Sequence, residues 1–239
     1  MSTSPNIIEV ASLIGEPSRV SILISLMNGK ALPASELARN AKVTPQTAST
    51  HLAKLVEGGL LVSESHGRHR YYRLASPDVA HALESLMTIA APKPVRSLRE
   101  SDQLRAIRYA RTCYDHLAGE VGVALTQKML EMQLIEASDQ DYVLSEAGKT
   151  KLQSLGVDLV AKPKSRRRFA RPCLDWSERR HHLAGSLGAS LTNRFFELGW
   201  IERVPGGRAV RVTPLGSSGF LAEFGLYLEE CHRGCFKSR

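Results

Sequence analysis

The sharpest pattern of apolar and polar positions lies between Leu32 and Ala75. Ala48, Leu52 and Leu55 recur at i, i+4 and i+7, which gives one stripe of a helix facing a small core. Thr44 is placed to cap that helix and Pro45 to stand at its first position, where a missing N–H costs nothing. The opposite face carries Gln46, Thr47, Ser49, Thr50 and Lys54, with His51 at its edge. A shorter helix is expected from Ser35 to Asn40, begun by the capping serine, with Leu37 and Ala38 inward and Ala41-Lys42-Val43 as the turn that follows. Gly58-Gly59 stops the second helix. Leu60 to Ser65 and His69 to Leu74 then alternate around His66-Gly67-Arg68, which predicts a hairpin.

Helix, turn, helix and hairpin make a winged helix-turn-helix, whose second helix fits the major groove of duplex DNA, about 12 Å wide. The short polar face suits that task, since a merely solvated helix would more often carry Glu and Lys. The expected DNA contacts are Thr44, Gln46, Thr47, Ser49, Thr50, His51 and Lys54 on the helix, and Arg68, His69 and Arg70 on the wing. A plain surface hairpin with solvated arginines is the competing reading of the wing.

Pro17-Ser18-Arg19, the Ser-Thr-His-Leu run from Ser49 to Leu52, and Gly-Arg-x-x-Tyr-Tyr-x-Leu from Gly67 to Leu74 occur together. As a set they resemble the DNA-binding domain of ArsR-type winged-helix repressors, over roughly the first 90 residues. The resemblance implies a homodimeric repressor on a palindromic operator, released by a metal ion or another small inducer. Many metal-sensing members carry a Cys-x-Cys pair on the first helix of the motif. Here Leu37-Ala38-Arg39 stands in that place, and no cysteine precedes Cys113. Asp78, His81 and Glu84 are present near the end of the domain without the full ligand set of the dimer-interface site. Sensing is therefore expected elsewhere. The dimer interface is expected from the helix beginning at Ile7 and the segment from Val79. Their Ile8, Ala11, Leu13, Leu83, Leu86 and Met87 exceed what a small winged unit buries alone.

The second half is an internal duplication. Ala110 to Glu136 realigns onto Ala170 to Glu202, matching Cys113 with Cys173, Asp115 with Asp175, His116-Leu117-Ala118-Gly119 with His182-Leu183-Ala184-Gly185, and Leu125-Thr126 with Leu191-Thr192. The second copy carries extra residues between its Asp and its matched His. Tyr142 to Gly148 and Val210 to Gly216 follow at corresponding places. A repeat of about 60 residues seen twice implies two subdomains that pack as a pair, each read as helix, helix, hairpin and helix. The fold class is thus mainly α with small β-hairpins (α+β): a winged domain over 1–95 and winged-helix-like repeats over 100–160 and 161–239. Met129, Met132, Phe195, Phe196 and Leu198 make the second helices of the repeats apolar, as core or as the lining of a pocket, and Trp176 and Trp200 fit either.

Composition narrows the chemistry. With 43% hydrophobic residues in 239, an ordinary core is available. No run approaches about 20 apolar residues and no secretion signal is legible, so a cytoplasmic protein without a membrane span is expected. The four cysteines then read as thiols or metal ligands before disulfides. Residues 1–100 hold 11 Lys+Arg against 8 Asp+Glu, whereas Lys162 to Arg180 holds 8 against 2. The run 162–171 is either extra phosphate contact or a solvated linker.

Cys113 and Cys173, with Asp115, His116, Asp175 and His182, would suit a thiophilic divalent ion such as Cd²⁺, Pb²⁺ or Zn²⁺ if the repeats pack symmetrically. Alternatively both cysteines are small buried hydrophobes copied by the duplication. Metal affinity is expected to rise across a thiol titration near ~8.5, or lower if Arg111 and Arg171 depress it. Cys231-His232-Arg233-Gly234-Cys235 is a weaker candidate. Asp175, Glu178, His181 and His182 resemble acid–base machinery, but no phosphate loop, nucleophile elbow or His-Glu-x-x-His accompanies them, and residues 177–182 read as the polar start of a helix. A non-enzymatic regulator is expected. An organic or thiol-reactive inducer in an apolar pocket, and an inducer-independent architectural DNA-binding protein, are the alternatives.

Overall fold

The computed structural model describes residues 5–67, 69–92, 94–159 and 168–228. Arg68, residues 162–167 of the basic run and the motif from Cys231 to Cys235 lie outside the described residues. The architecture is mixed α+β, helices joined by small antiparallel hairpins. Two compact units divide the chain, Met1–Leu83 and Glu84–Arg239.

The first unit runs α1 (Ile7–Ile14), α2 (Pro17–Ser25), β1 (Leu32–Pro33), α3 (Ala34–Ala41), α4 (Pro45–Glu57), β2 (Leu61–His66), β3 (His69–Leu74) and the start of α5 (Pro77–Ile89). Glu16 begins α2 by accepting the Ser18 and Arg19 amides at 3.0 and 2.7 Å, which satisfies two orphan donors of the first turn. Thr44 does the same for α4, accepting from the Thr47 amide at 3.2 Å, with Pro45 following as expected. Ala48, Leu52 and Leu55 are fully buried, together with Ile22, Leu23 and Leu37. Gly58 has to be small: a Cβ there would sit 2.1 Å from Leu13 Cδ1.

Three local expectations need correction. Helix α3 starts one residue early, after an extended Pro33 that closes β1, so Ser35 is not its cap. The wing turn is tighter than expected, because His66 already pairs with His69, and Gly67 turns the chain with φ of 60°. Among the expected interface positions, Leu13 and Leu83 are buried within the single chain, while Ile8, Ala11 and Leu86 stay exposed.

The second unit begins in the rest of α5 and continues with α6 (Leu98–Tyr109). The first copy follows as β4 (Arg111–Cys113), β5 (His116–Ala118), α7 (Gly119–Glu131), β6 (Ile135–Ser138), β7 (Asp141–Leu144) and α8 (Glu146–Ser154). The second repeats the order as β8 (Arg171–Leu174), β9 (His181–Ala184), α9 (Gly185–Glu197), β10 (Ile201–Arg203), β11 (Val210–Val212) and α10 (Pro214–Phe224). The repeat is therefore hairpin, helix, hairpin, helix, and residues 177–182 finish the β8–β9 loop and enter β9 instead of starting a helix. Strands of three or four residues leave too little alternation to be read. The extra residues of the second copy lie in the β8–β9 loop, so the pairings Cys113 with His116 and Cys173 with His182 are kept.

The copies interlock through matched small residues. Gly119 and Gly185 open α7 and α9 with φ of 80° and 88°, and a Cβ at either would stand 2.5 Å from a backbone oxygen. Thr126 on α7 accepts the Leu183 amide at 2.8 Å, and Thr192 on α9 accepts the Leu117 amide at 2.8 Å. Each helix thus satisfies a buried strand donor of the other copy. One core draws on both, with Val121, Leu125 and Met129 from the first and Leu187, Leu191 and Phe195 from the second. Trp200 stacks on Phe195 in that core, whereas Met132, expected inside, is 41% exposed just past the end of α7.

Candidate functional site

On α4 the side chains of Gln46, Thr47, Ser49, Thr50 and Lys54 are exposed along one face. Ser49 and Thr50 hydroxyls donate back to the Pro45 and Gln46 carbonyls, at 2.9 and 3.3 Å, which leaves their lone pairs facing outward as acceptors. Thr44 is exposed but engaged in its cap. His51 is placed differently from its neighbours: its Nε2 lies 3.6 Å from Glu16 Oε2 and its side chain is 14% exposed, so it ties α4 to the start of α2. On the wing His69 and Arg70 are exposed, while Arg73 pairs with Glu64 at 2.9 Å.

The second site is built by two hairpins. β4–β5 presents Cys113 opposite His116, and β8–β9 presents Cys173 opposite His182. All four side chains are buried, neither cysteine is in a disulfide, and one donor atom from each residue lies within 4.8 Å of the others. The imidazoles sit 5.1 Å apart between centroids. His116 Nδ1 is 3.3 Å from Asp115 Oδ1, and His182 Nδ1 is 3.3 Å from Asp175 Oδ2. Nε2 of both rings is buried without a hydrogen bond that satisfies it. Of the six ligands expected, four converge and the two aspartates stand behind the imidazoles.

Residues 14–64 match the family described as a helix-turn-helix domain. Across nearly its whole length the chain is similar to the HTH-type transcriptional regulator YdfF of Bacillus subtilis (strain 168), 48% identical over 217 residues, which is 91% of this chain and 96% of that protein. The chain belongs to the HTH-type transcriptional regulators. Among solved structures, the cadmium metal-sensor CMTR from Mycobacterium tuberculosis is 28% identical, covering 38% of this chain and 98% of its own, with a TM-score of 0.30. The homodimeric winged helix-turn-helix domain of Mb0332 from Mycobacterium bovis, a possible ArsR-family regulator, is 24% identical over 37% of this chain and 89% of its own, with a TM-score of 0.33. The helix-turn-helix match over residues 14–64 falls within the first unit of this regulator and implies DNA binding there.

The electrostatics of the regulator's Cys/His cluster differ from the sequence expectation. A hydrogen bond with Cys173 and burial push the Cys113 thiol up to about 12, with His116 acting in the opposite direction. The Arg111 guanidinium, expected beside the thiol, turns to Asp175 Oδ2 at 2.9 Å. Burial resists charging His116 and His182, yet Cys113 and Asp115 for the former, and Asp175 and Cys113 for the latter, hold both above the ordinary imidazole value. Burial likewise resists ionising Asp175, but His182, Arg111 and the Gly119 amide at 2.7 Å keep its carboxyl far below the usual range.

Sequence reasoning missed Arg111 and Glu84 as buried charges and Asp175 as their organiser. Arg111 carried one signal, its place two residues before Cys113 on the same face of a strand. Of the residues with acid–base character, Asp175 and Glu178 lie in the β8–β9 loop, where Asp175 Oδ1 accepts the Ser177 and Glu178 amides at 2.9 and 3.2 Å, and His181 and His182 stand on β9.

Proposed function

We propose that this regulator is a homodimeric, non-enzymatic repressor of the cytoplasm that reads a palindromic operator with α4 and its wing and responds to a thiophilic divalent ion held by Cys113, His116, Cys173 and His182. The observation that carries the metal reading is the convergence of two thiols and two imidazoles, buried and within 4.8 Å of one another. A tetrahedral ion with bonds of roughly 2.3 Å to sulfur and 2.0 Å to nitrogen separates its donors by about 3.3 to 3.8 Å. The cluster meets that by drawing in about 1 Å, and the unsatisfied Nε2 atoms gain a partner. Four donors fill a tetrahedron and leave no open position, which suits Zn²⁺ and Cd²⁺ better than Pb²⁺ and argues for sensing over catalysis. Bound metal would fix the two copies against each other while displacing the thiol protons.

The inducer-independent reading lacks a use for these donors. For an organic inducer, a cavity of about 470 Å³ lined by Tyr142, Val143, Leu144, Lys149, Gln153, Leu159 and Phe169 is a place to bind. The test is a Cd²⁺ titration of the full chain, followed by thiolate-to-metal charge-transfer absorption and by operator binding at fixed salt. One ion per chain with loss of operator binding is expected. Absorption absent at stoichiometric Cd²⁺, or operator affinity unmoved, overturns the metal reading and directs the search to the cavity.

A further inference from the structure

Behind the Cys/His cluster runs a file of buried charges that a metal site alone does not require. Asp175, within 3.3 Å of His182 Nδ1, is also the partner of Arg111 Nη2 at 2.9 Å. The same Nη2 lies 3.9 Å from Glu84 Oε2, and Arg208 Nη1 donates to Glu84 Oε1. Asp175 and Arg111 are fully buried and Glu84 is 1% exposed. Buried ion pairs are weak devices for stability, because desolvation cancels most of their attraction, and their best-attested use is to set a register or a switch.

The file is strung but not closed. Arg111 Nη1 is fixed by the Ile107 carbonyl and Ser177 hydroxyl, both at 3.2 Å, and the guanidinium lies 4.7 Å over the Trp176 ring. Nη2 stands between two carboxylates and has no well-formed hydrogen bond, and Glu84 Oε2 has none either. Arg111 therefore has two partners and satisfies one incompletely. Glu84 belongs to α5, the helix that begins in the first unit and ends in the second. Arg179, from the β8–β9 loop, donates to the Thr88 carbonyl of the same helix.

We propose that metal occupancy is transmitted to α5 by handing Arg111 from Asp175 to Glu84. An ion on His182 Nε2 requires the other ring nitrogen to keep its proton and donate it, and Asp175 is the acceptor in reach. Tightening that bond draws Oδ2 away from Arg111. The freed Nη2 then closes the gap to Glu84 Oε2, which fixes the second half of α5. The inference rests on the metal reading above. Glu84 is a positioning residue: it touches neither ion nor DNA.

The test uses the full-length protein and Cd²⁺. In Glu84→Gln, Cd²⁺ affinity by chelator competition stays within about threefold of the parent. The ratio of operator affinities without and with Cd²⁺ falls from at least about fivefold toward one. A ratio equal to the parent's overturns the relay and leaves the metal reading intact. A parent chain that binds no Cd²⁺ overturns both. Should Glu84→Gln fail to fold, the parent alone decides by hydrogen exchange. Cd²⁺ slows exchange of the amides of residues 84–89 if the relay holds, and unchanged exchange there alongside slowed exchange at 113–118 overturns it.

Discussion

The hairpins β4–β5 and β8–β9 carry the same Cys and His in the same register, yet they are not equivalent. In β4–β5 the turn is only Tyr114 and Asp115, and the Asp115 side chain is 27% exposed. In β8–β9 a longer loop buries Asp175, caps it with the loop's own amides, and lays Trp176 against Arg111. Duplication supplied one Cys and one His from each copy, and the longer loop of the second also reaches α5 through Arg179. Cys and His are thus shared equally between the copies, whereas the buried Asp175 and the Arg179 contact with Thr88 belong to the second alone.

The largest effect separates ligands from everything else. Cys113→Ser with Cys173→Ser removes both thiolates and is expected to lower Cd²⁺ affinity at least a thousandfold, about 4 kcal/mol, in chelator competition. Operator affinity without metal stays at the parent value. Equal affinity for Cd²⁺ in parent and variant would place the ion elsewhere.

The asymmetry itself is tested next, by urea unfolding of the metal-free protein. Asp175→Asn leaves Arg111 buried without its anion and should cost about 3 to 5 kcal/mol. Asp115→Asn should cost less than about 1 kcal/mol while still weakening metal binding on the order of tenfold, through loss of the carboxylate behind His116. Similar destabilisation by both would remove the distinction between the copies.

A third pair probes where the copies remain alike. Thr126→Val and Thr192→Val each strand a buried amide, Leu183 in one case and Leu117 in the other, and each should destabilise by about 1 to 3 kcal/mol. Values differing by more than 2 kcal/mol would break the interlocking symmetry.

Effects in the first unit are read at the operator and leave the comparison of the two copies untouched. Ser49→Ala should cost on the order of 1 to 3 kcal/mol at the operator, whereas Arg70→Ala should weaken all sequences alike and flatten the salt dependence by about one counterion. Gel-shift titrations across salt distinguish them, and a sequence-dependent effect of Arg70→Ala would move it from phosphate to base.

The first unit was legible because each level of its sequence agrees: Thr44-Pro45 caps, period 3.6 packs, and Gly58 stops. His51 was not, since pairing with Glu16 depends on how α4 meets α2, across 35 positions of chain. In the second unit the matched Cys, Asp and His positions exposed the cluster through duplication alone. The hairpins that hold them escaped notice, for Arg111–Cys113 and His116–Ala118 are too short to show alternation. The role of Asp175 was hidden for a different reason. Its partners Arg111, Gly119 and His182 come from separate elements, and nothing in a carboxylate's position along the chain tells a ligand from the group behind one.

X-ray absorption at the zinc edge of the zinc-loaded full chain tests the central claim most directly. If both copies contribute to one centre, the metal has two sulfur neighbours at about 2.3 Å and two imidazole nitrogens at about 2.0 to 2.1 Å. A shell with a single sulfur, or with oxygen and nitrogen alone, would mean that the two hairpins do not share an ion.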